Sequence, residues 1–331
     1  MKKNILLVLM VVQIFLLSGC VFITIPLRPG VTELEEKTIY GEGKSKFLLI
    51  DISGTISNKE KTGLLGTSQE LNIVARVKEE LEKAEKDKAI KGLILMINSP
   101  GGEVAATDNI YHEIIKFKEK KKVGVIACLN EVAASGGYYI AASADKLIAY
   151  PTVITGSIGV ITLRFDITGL MDKVGVKEVS IKTGENKDIT SIFKELTPEE
   201  QKILQGIIDN LYNRFLSIVI ESRAKLSPKD IDVIKDGRIF TAEEALKMGL
   251  VDRIGYFEDA VDLFKEETGL KKVRVVIYKR PYAYKPNVYS TSTSFLAPSA
   301  QVNAQPALIN INLQGVLDEI CATRFMYMWK P

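Results

Sequence analysis

Residues 93–102, Leu-Ile-Leu-Met-Ile-Asn-Ser-Pro-Gly-Gly, join a short apolar run to a turn. A continuous apolar run bounded by turn residues is typical of a strand that is buried on both faces of a sheet. A second such run occupies residues 47–52, and apolar residues at helical spacing lie between the two runs. This order of strand, helix and strand predicts parallel strands joined by crossover helices.

The alternation continues toward the C-terminus. The pattern predicts a third strand at 123–127, a short apolar helix at 135–142 and a fourth strand at 146–149. Two further helices are predicted, a long amphipathic one that opens at Thr197 and a shorter one at 241–248. The whole pattern indicates an α/β protein.

Composition restricts the class of protein. The chain has 331 residues, of which 46% are hydrophobic and 26% are charged, as in ordinary globular proteins. Its formal net charge is +3, and Lys2 and Lys3 supply two of these charges, so the overall field does not favour a nucleic-acid partner. Three cysteines are too few for a disulfide framework, so stability must come from a packed core.

The first 20 residues have the layout of a secretory signal. Two lysines precede an apolar run at 5–17, which is short for a membrane span of about 20 residues. The sequence Leu17-Ser18-Gly19-Cys20 resembles the lipobox of bacterial lipoproteins, in which the cysteine is diacylated. An uncleaved N-terminal anchor with an incidental Cys20 is the alternative. Both interpretations predict a membrane-anchored chain whose bulk lies outside the cytoplasm.

Hydrolytic chemistry in this chain needs a base other than histidine. His112 is the only histidine, and it falls in a charged helical stretch, so neither a Ser-His-Asp triad nor a multi-histidine metal site is expected. Asp51, Asp145 and Asp188 lie at strand or turn boundaries without a histidine or cysteine cluster, so we predict no metal and no other cofactor. A desolvated lysine is the base that remains available.

Two glycine-containing turns follow predicted core strands. Ser135 and Gly136 stand at the start of the short apolar helix, where free N–H groups can hold an oxyanion. Gly102 ends the turn at 98–102, which we expect to be exposed beside a strand edge that pairs with an extended peptide. Taken alone, Ser135 is more simply interpreted as a capping serine. Both turns together are more informative, because ligands of open α/β sheets gather beyond the strands' carboxyl ends.

Five separated motifs resemble, in order and spacing, those of the bacterial signal peptide peptidases of the short, single-repeat type (SppA). They are Asn98-Ser99-Pro100-Gly101-Gly102, Ala134-Ser135-Gly136-Gly137-Tyr138, Thr155-Gly156-Ser157-Ile158-Gly159, Lys187-Asp188 and Asp236-Gly237-Arg238. The resemblance covers roughly residues 45–265. It implies an α/β spiral of ββα units like that of Clp proteases and crotonases, with mainly parallel sheets and a C-terminal helical part. It also implies dome-shaped homo-oligomers whose active sites are shared between neighbours.

The resemblance assigns roles to single residues. Ser135 is expected to be the nucleophile and Lys187 the general base, while Ser157 holds the lysine amine. Gly102 and Gly136 are expected to donate N–H groups to the oxyanion. The implied function is a membrane-anchored serine endopeptidase with a Ser/Lys dyad that degrades cleaved signal peptides and other unfolded apolar peptides. Small or aliphatic side chains are expected in its specificity pockets.

The observations divide the chain into four parts. They are a signal or lipoprotein anchor segment at 1–20, a linker at 21–44, a Ser/Lys peptidase domain at 45–280 and a partly flexible extension at 281–331. The apolar residues from Leu308 onward are expected to dock on the body or on a neighbouring subunit. The expected partners are peptide substrates, the membrane and further copies of the chain.

A basic run, made of Lys118, Lys120, Lys121 and Lys122, is predicted at a helix C-terminus. Positive charge there complements the helix dipole, which is the favoured interpretation. Contact with anionic lipid is the other interpretation, and it would orient the domain at a membrane.

Three rival functions remain open. A related Ser/Lys protease of the stomatin-operon type normally carries apolar C-terminal spans, which this chain lacks after Ile277. A catalytically inactive, peptide-binding lipoprotein scaffold has no chemical need for Ser135, Ser157 and Lys187 together. A crotonase-like acyl-CoA enzyme has similar oxyanion loops but no supply of CoA outside the cytoplasm.

Overall fold

The computed structural model describes residues 33–59, 61–62, 69–280, 283–284, 293–294 and 324–329. The predicted anchor segment and Cys20 lie outside these residues.

Short and long strands alternate with helices along the chain. The strands are β1 (Glu35–Gly41), β2 (Ser45–Ser53), β3 (Lys61–Thr62), β4 (Gln69–Glu70), β5 (Ile90–Ser99), β6 (Gly101–Glu103), β7 (Gly124–Ala134), β8 (Lys146–Ala149), β9 (Ile154–Gly156), β10 (Ile161–Thr162), β11 (Ile239–Thr241), β12 (Arg253–Ile254), β13 (Val273–Lys279), β14 (Ala283–Tyr284), β15 (Thr293–Ser294) and β16 (Phe325–Met328).

The helices are α1 (Ile73–Lys86), α2 (Val104–Lys121), α3 (Gly136–Ala141), α4 (Thr168–Val174), α5 (Pro198–Ser222), α6 (Pro228–Ile234), α7 (Ala242–Met248) and α8 (Phe257–Thr268). A single 3₁₀ turn at Glu185–Asp188 completes the regular structure between α4 and α5.

The main sheet confirms the predicted parallel arrangement. Within the described part of the chain it has nine strands, and its central path runs β1-β13-β2-β5-β7-β8-β12. Every pairing on this path from β13 to β12 is parallel, while β1 and β11 pair antiparallel at the margins. The predicted strand at 123–127 is longer than expected, because β7 continues to Ala134 and also pairs with β9.

The sheet is buried on both faces, which explains why its strands are continuous apolar runs. On one face, α1, α2 and α3 cover side chains such as Leu48, Leu95 and Ala127. On the other face α8 covers alternate residues, and its Phe264 ring lies 4.6 Å from the Phe47 ring. The sheet is therefore a rigid support for loops at its edges.

The predicted long helix begins where the sequence indicated. Thr197 accepts a hydrogen bond from the Glu200 N–H at 3.2 Å, and Glu200 accepts one from the Thr197 N–H at 3.0 Å. This reciprocal capping box, with Pro198 in the first turn, satisfies N–H groups that a helix start leaves without partners. The helix packs Phe215 and Val219 into the core.

A second, smaller sheet lies beside the main one. It has the order β10-β16-β6, and both pairings are antiparallel. Its middle strand is the C-terminal segment Phe325–Met328, so in this structure the apolar end of the chain docks on the body. This sheet borders Ser135 and Ser157, two of the residues to which the family resemblance assigns roles.

Candidate active site

Ser135 has a backbone conformation that is unusual for a residue with a side chain. It lies between the end of β7 and the start of α3, with φ 53° and ψ −117°. Its N–H donates to the Gly156 carbonyl at 2.7 Å, and its carbonyl accepts from the Tyr139 N–H at 2.9 Å. Neighbouring segments on both sides therefore hold the strained residue in place.

Gly136 lies where three segments meet closely. A Cβ at this position would lie 2.8 Å from Thr107 Oγ1 and 3.0 Å from the Tyr327 carbonyl oxygen. A Cβ on Gly101 would lie 2.6 Å from the Gly136 nitrogen and 1.9 Å from the same carbonyl oxygen. Only glycine fits at either position. The Tyr327 carbonyl and the Gly136 N–H consequently lie side by side.

The turn containing Gly102 is buried, whereas the sequence predicted an exposed turn. Gly102 belongs to β6, which has Ile56 on one side and the C-terminal strand on the other. The Ile56 N–H donates to the Gly101 carbonyl at 3.0 Å, and the Glu103 N–H donates to the Ile56 carbonyl at 2.8 Å. Since backbone groups alternate along a strand, the N–H of Gly102 faces Tyr327. The prediction was wrong because strand β16, distant in sequence, covers the turn.

The side chain of Tyr327 fills an aromatic pocket. It is fully buried, and its ring centroid lies 5.1 Å from that of Tyr139 and 4.9 Å from that of Phe215. Its hydroxyl donates to the Leu211 carbonyl at 2.8 Å. Burial raises the pKa of the Tyr327 hydroxyl, so it stays a neutral donor at physiological pH.

The wall of this pocket is fixed by a second polar group. Tyr139 donates its hydroxyl to the Asp108 carboxylate, which also accepts from the Arg214 guanidinium at 2.7 Å. Burial and the hydrogen bond to Asp108 raise the pKa of the Tyr139 hydroxyl. Tyr139 is therefore anchored at both ends, by its ring contacts and by its hydroxyl.

Ser157 lies next to Ser135. Its neighbour Gly156 pairs with Ala134 in β7, and the Ser157 N–H donates to the Arg238 carbonyl at 2.8 Å. Ser157 is half-buried with φ 51°. It opens onto a cleft of about 460 Å³ that is also lined by Gly159, Asp209, Met328 and Trp329. This cleft continues the groove occupied by the C-terminal strand.

Lys187 is not brought to this cleft by the fold of one chain. It lies in the exposed 3₁₀ turn Glu185–Asp188, and its ammonium has no hydrogen bond or ion pair with any described residue. The turn is held instead by Asp188, which accepts from Lys182 at 2.8 Å and from Lys194 at 2.9 Å. These two hydrogen bonds lower the pKa of Asp188 to about 2.

Sequence reasoning missed two parts of the site. The sequence predicted that apolar residues from Leu308 onward dock, but it did not identify Phe-Met-Tyr-Met at 325–328 as a strand beside Ser135. Thr107 gave no signal, yet it is fully buried and its hydroxyl has no hydrogen-bond partner among the described residues. His112 was correctly placed on a helix surface, where it is exposed on α2.

Comparison with known proteins identifies the family and the fold. The family model of peptidase family S49 matches residues 116–271, and that of Clp protease matches residues 48–153. A putative signal peptide peptidase SppA of Enterococcus faecium is 35% identical over 253 residues, which cover 76% of this chain and 72% of the relative. Protease 4 of Haemophilus influenzae is 35% identical over 70% of this chain and 36% of its own.

A search of solved structures returned a mutant of a membrane-bound stomatin-specific protease. It has a TM-score of 0.40 and 17% sequence identity, and the match covers 67% of this chain and 85% of that one. The sequence matches, and not this structural match, identify the family. With its Clp-protease-like fold and its similarity to signal peptide peptidases, the chain belongs to peptidase family S49 and is a serine peptidase.

Proposed function

We propose that the chain is a membrane-anchored endopeptidase that cleaves extended peptides with Ser135 as nucleophile and Lys187 as general base. Remnants of cleaved signal peptides and other unfolded apolar segments are its substrates. The observation that carries this proposal is the C-terminal strand in the groove beside Ser135, because it binds there as a peptide substrate would.

The backbone of that strand has the geometry expected of a bound peptide. Tyr327 pairs antiparallel with Gly102, and the neighbouring Trp329 N–H donates to the Pro100 carbonyl at 2.8 Å. Strand addition of this kind gives affinity through main-chain hydrogen bonds and specificity through pockets for alternate side chains. The Tyr327 carbonyl beside the Gly136 N–H corresponds to the scissile carbonyl of a substrate.

The proposed reaction is an acyl transfer in two steps. Ser135 Oγ attacks the scissile carbonyl while its proton passes to the neutral Lys187 amine, and the N–H groups of Gly102 and Gly136 stabilise the oxyanion. The lysine then gives the proton to the leaving amine, which leaves an ester on Ser135. Water activated by the same amine hydrolyses this ester and regenerates the serine. Ser157 orients the amine.

A second copy of the chain supplies Lys187 in this proposal. Residues on both sides of its turn are exposed and apolar, among them Val179 at 84% exposure and Ile181 at 100%. Exposed apolar segments of this kind favour an intersubunit contact. Burial of the turn against a neighbour would desolvate the amine and bring it to Ser135, which agrees with the shared active sites that the family resemblance implies.

Anchoring rests on the N-terminal sequence. No helix of the described residues is long and apolar enough to cross a membrane. The signal-like layout of residues 1–20, with Cys20 as the lipid attachment site, supports attachment outside the cytoplasm.

The specificity pocket accepts an aromatic side chain. The Tyr327 ring is larger than the small or aliphatic side chains that the family resemblance implies, and its hydroxyl has a carbonyl acceptor. We therefore expect peptides with tyrosine at this position to be better substrates than peptides with alanine.

Labelling with a serine-reactive phosphonate tests the proposal. The intact chain should form one adduct, which peptide mapping locates at Ser135, and the Ser135→Ala variant should neither label nor hydrolyse a fluorogenic peptide. Ser222→Ala, which alters a hydroxyl bonded within α5, serves as the matched control and should keep both properties. A folded chain that binds peptides but neither labels nor cleaves would support the scaffold alternative.

A further inference from the structure

An open pocket of about 570 Å³ lies at the edge of the main sheet where β5 and β7 begin. Among the described residues, five lysines line it together with apolar and hydroxyl side chains, and no carboxylate does. The lysines are Lys88, Lys91, Lys120, Lys121 and Lys122. Ile90, Val123 and Leu270 form its apolar part. We refer to these residues as the lysine pocket.

Most of this positive charge is not neutralised within the described residues. Lys120 forms an ion pair with Glu85. Lys88, Lys91 and Lys122 are exposed, and none of them has an ion pair or a side-chain hydrogen bond with a described residue. The nearby Asp87 carboxylate is engaged by Lys46 at 2.8 Å instead. The pocket therefore has an unbalanced positive charge.

Helix ends explain only part of the cluster. Lys121 donates to the carbonyls of Glu85 at 2.8 Å and Asp87 at 2.7 Å, so it caps the C-terminal end of α1. Burial lowers the pKa of Lys121, and the charge of Lys91 acts in the same direction. Lys122 is the C-cap residue of α2, so the dipole interpretation also covers it. It does not account for Lys91, which lies in β5.

The pocket lies close to the place where the chain enters the described domain. Asp87 accepts from Lys121 through its backbone carbonyl and from Lys46 through its carboxylate. Lys46 also forms an ion pair with Glu36 at 2.7 Å. Two residues before Glu36, the Leu34 carbonyl accepts a hydrogen bond from Lys83 near the end of α1. These contacts link the first residues of the described domain, Leu34 and Glu36, to the end of α1 beside the lysine pocket.

The active site lies at the other end of the same strands. Gly124, at the start of β7, is near the pocket, and Ser135 follows the end of β7. A strand of this length separates the two regions by roughly 30 Å. A surface bound at the pocket would leave the peptide groove open.

We propose that the lysine pocket binds the phosphate headgroups of anionic lipids in the membrane that the N-terminal segment enters. The proposal rests on the anchoring described under Proposed function. Ammonium groups attract the phosphodiester, and each basic residue close to an anionic surface strengthens attachment. Ile90, Val123 and Leu270 line the same pocket and would contact the glycerol region.

Acetylation of lysines in the full chain tests this. The chain is reconstituted into vesicles of phosphatidylcholine alone or with added phosphatidylglycerol, and the acetylation rate of each lysine is measured by mass spectrometry. Lys88, Lys91 and Lys122 should react about three-fold more slowly in the anionic vesicles, and salt of about 1 M should remove the difference. The exposed lysines Lys202, Lys229 and Lys247 serve as internal controls and should react equally in both.

A matched pair of variants sharpens the test, with the partly exposed Lys120 as reporter. In K88Q/K91Q/K122Q the protection of Lys120 by anionic vesicles should disappear, whereas K202Q/K229Q/K247Q should retain it. Equal protection of the pocket lysines from acetylation in both vesicle types would overturn the proposal. Inorganic phosphate in detergent that protects them as well as anionic vesicles do would also overturn it, because this result indicates a site for free anions. Protection in detergent without phosphate would indicate a subunit contact and would also overturn it.

Two further readouts separate this proposal from the preceding one. Hydrolysis of a soluble peptide in the same samples reports on the peptidase independently of the lysine pocket. Flotation with phosphatidylcholine vesicles reports on the anchor. A chain that floats and cleaves but shows no lipid-dependent protection contradicts the lysine pocket proposal alone.

Discussion

The ring of Tyr327 stacks on the ring of Tyr139, with their planes inclined by 23°. Tyr139 belongs to α3, the helix that begins directly after Ser135, so this contact joins the end of the chain to the element that positions the proposed nucleophile. The stack also places the Tyr327 carbonyl beside Gly136. Binding of the C-terminal strand in the groove is therefore coupled to the order of the residues around Ser135.

Tyr327→Ala should increase hydrolysis of a short fluorogenic peptide. A tethered segment competes at an effective concentration near the millimolar range, and truncating a buried aromatic ring weakens its docking by about 3 kcal/mol. We expect kcat/KM to rise several-fold and a synthetic peptide of residues 324–329 to inhibit the variant. Tyr256→Ala, which removes a half-exposed ring elsewhere, is the control and should leave kcat/KM unchanged. An unchanged rate for Tyr327→Ala would show that the strand does not compete with substrate.

Ser135→Gly should stabilise the protein while abolishing activity. The φ of 53° with ψ of −117° is strained for serine, and glycine relieves strain of about 1 kcal/mol even after its own entropy cost. Ser135→Ala keeps the strain and should lose activity without a gain in Tm. Thermal unfolding of the two variants measures the difference. Equal Tm values would mean that the surrounding contacts, and not the residue type, determine stability at this position.

Mixing two inactive variants tests whether the dyad spans two subunits. Ser135→Ala and Lys187→Ala chains, refolded together in equal amounts, should regain activity at about a quarter of the sites, because such a site needs the intact residue from each of two chains. Each variant refolded alone should stay inactive. If the mixture also stays inactive although mixed oligomers form, the dyad lies within one chain.

The sequence predicted the parallel sheet well because its strands are local apolar runs with turn residues at their ends. The strand pattern put Ser135 and Gly136 at a helix start after a core strand, and the family resemblance added Ser157, which the structure brings next to Ser135. It could not predict the burial of Gly102, which depends on a strand more than 200 residues away in the chain. No local pattern reveals whether the proposed base Lys187 would come from the same chain or from a neighbour, since that depends on a surface contact.

Acid should loosen the turn that carries Lys187. Hydrogen bonds from Lys182 and Lys194 lower the pKa of Asp188 to about 2, below its ordinary value of 3.8. Because the pKa of Asp188 is lower in the folded turn than in the unfolded chain, its ionised carboxylate stabilises the turn at pH values above the unfolded pKa. This stabilisation is lost as pH falls toward about 2. The hydrogen-exchange protection factors of residues 182–190, which correct for the intrinsic pH dependence of exchange, should therefore fall between about pH 4 and pH 2.

The variant Asp188→Asn should have the same effect at neutral pH. The protection factors in the turn should be low at pH 7 and nearly independent of pH between 4 and 2, and peptide hydrolysis should decrease. Asp172→Asn, in the exposed helix α4, changes the same charge without these contacts and is the control. Unchanged exchange in Asp188→Asn would show that the two lysines do not order the turn.

Thr107→Val should raise the free energy of unfolding. Thr107 Oγ1 is buried without a hydrogen-bond partner among the described residues, and a buried polar group in this state costs about 1–3 kcal/mol. Valine has nearly the same shape, so the substitution removes the cost without opening a cavity. Thr155→Val is the matched control, because Thr155 is equally buried but donates to the Ala133 carbonyl at 2.6 Å. Denaturant unfolding should show Thr107→Val more stable, and Thr155→Val less stable, than the unaltered chain. A loss of stability in Thr107→Val would mean that the Thr107 hydroxyl has a hydrogen-bond partner in solution. Because this hydroxyl lies beside Gly136, the partner would then be water in the oxyanion region.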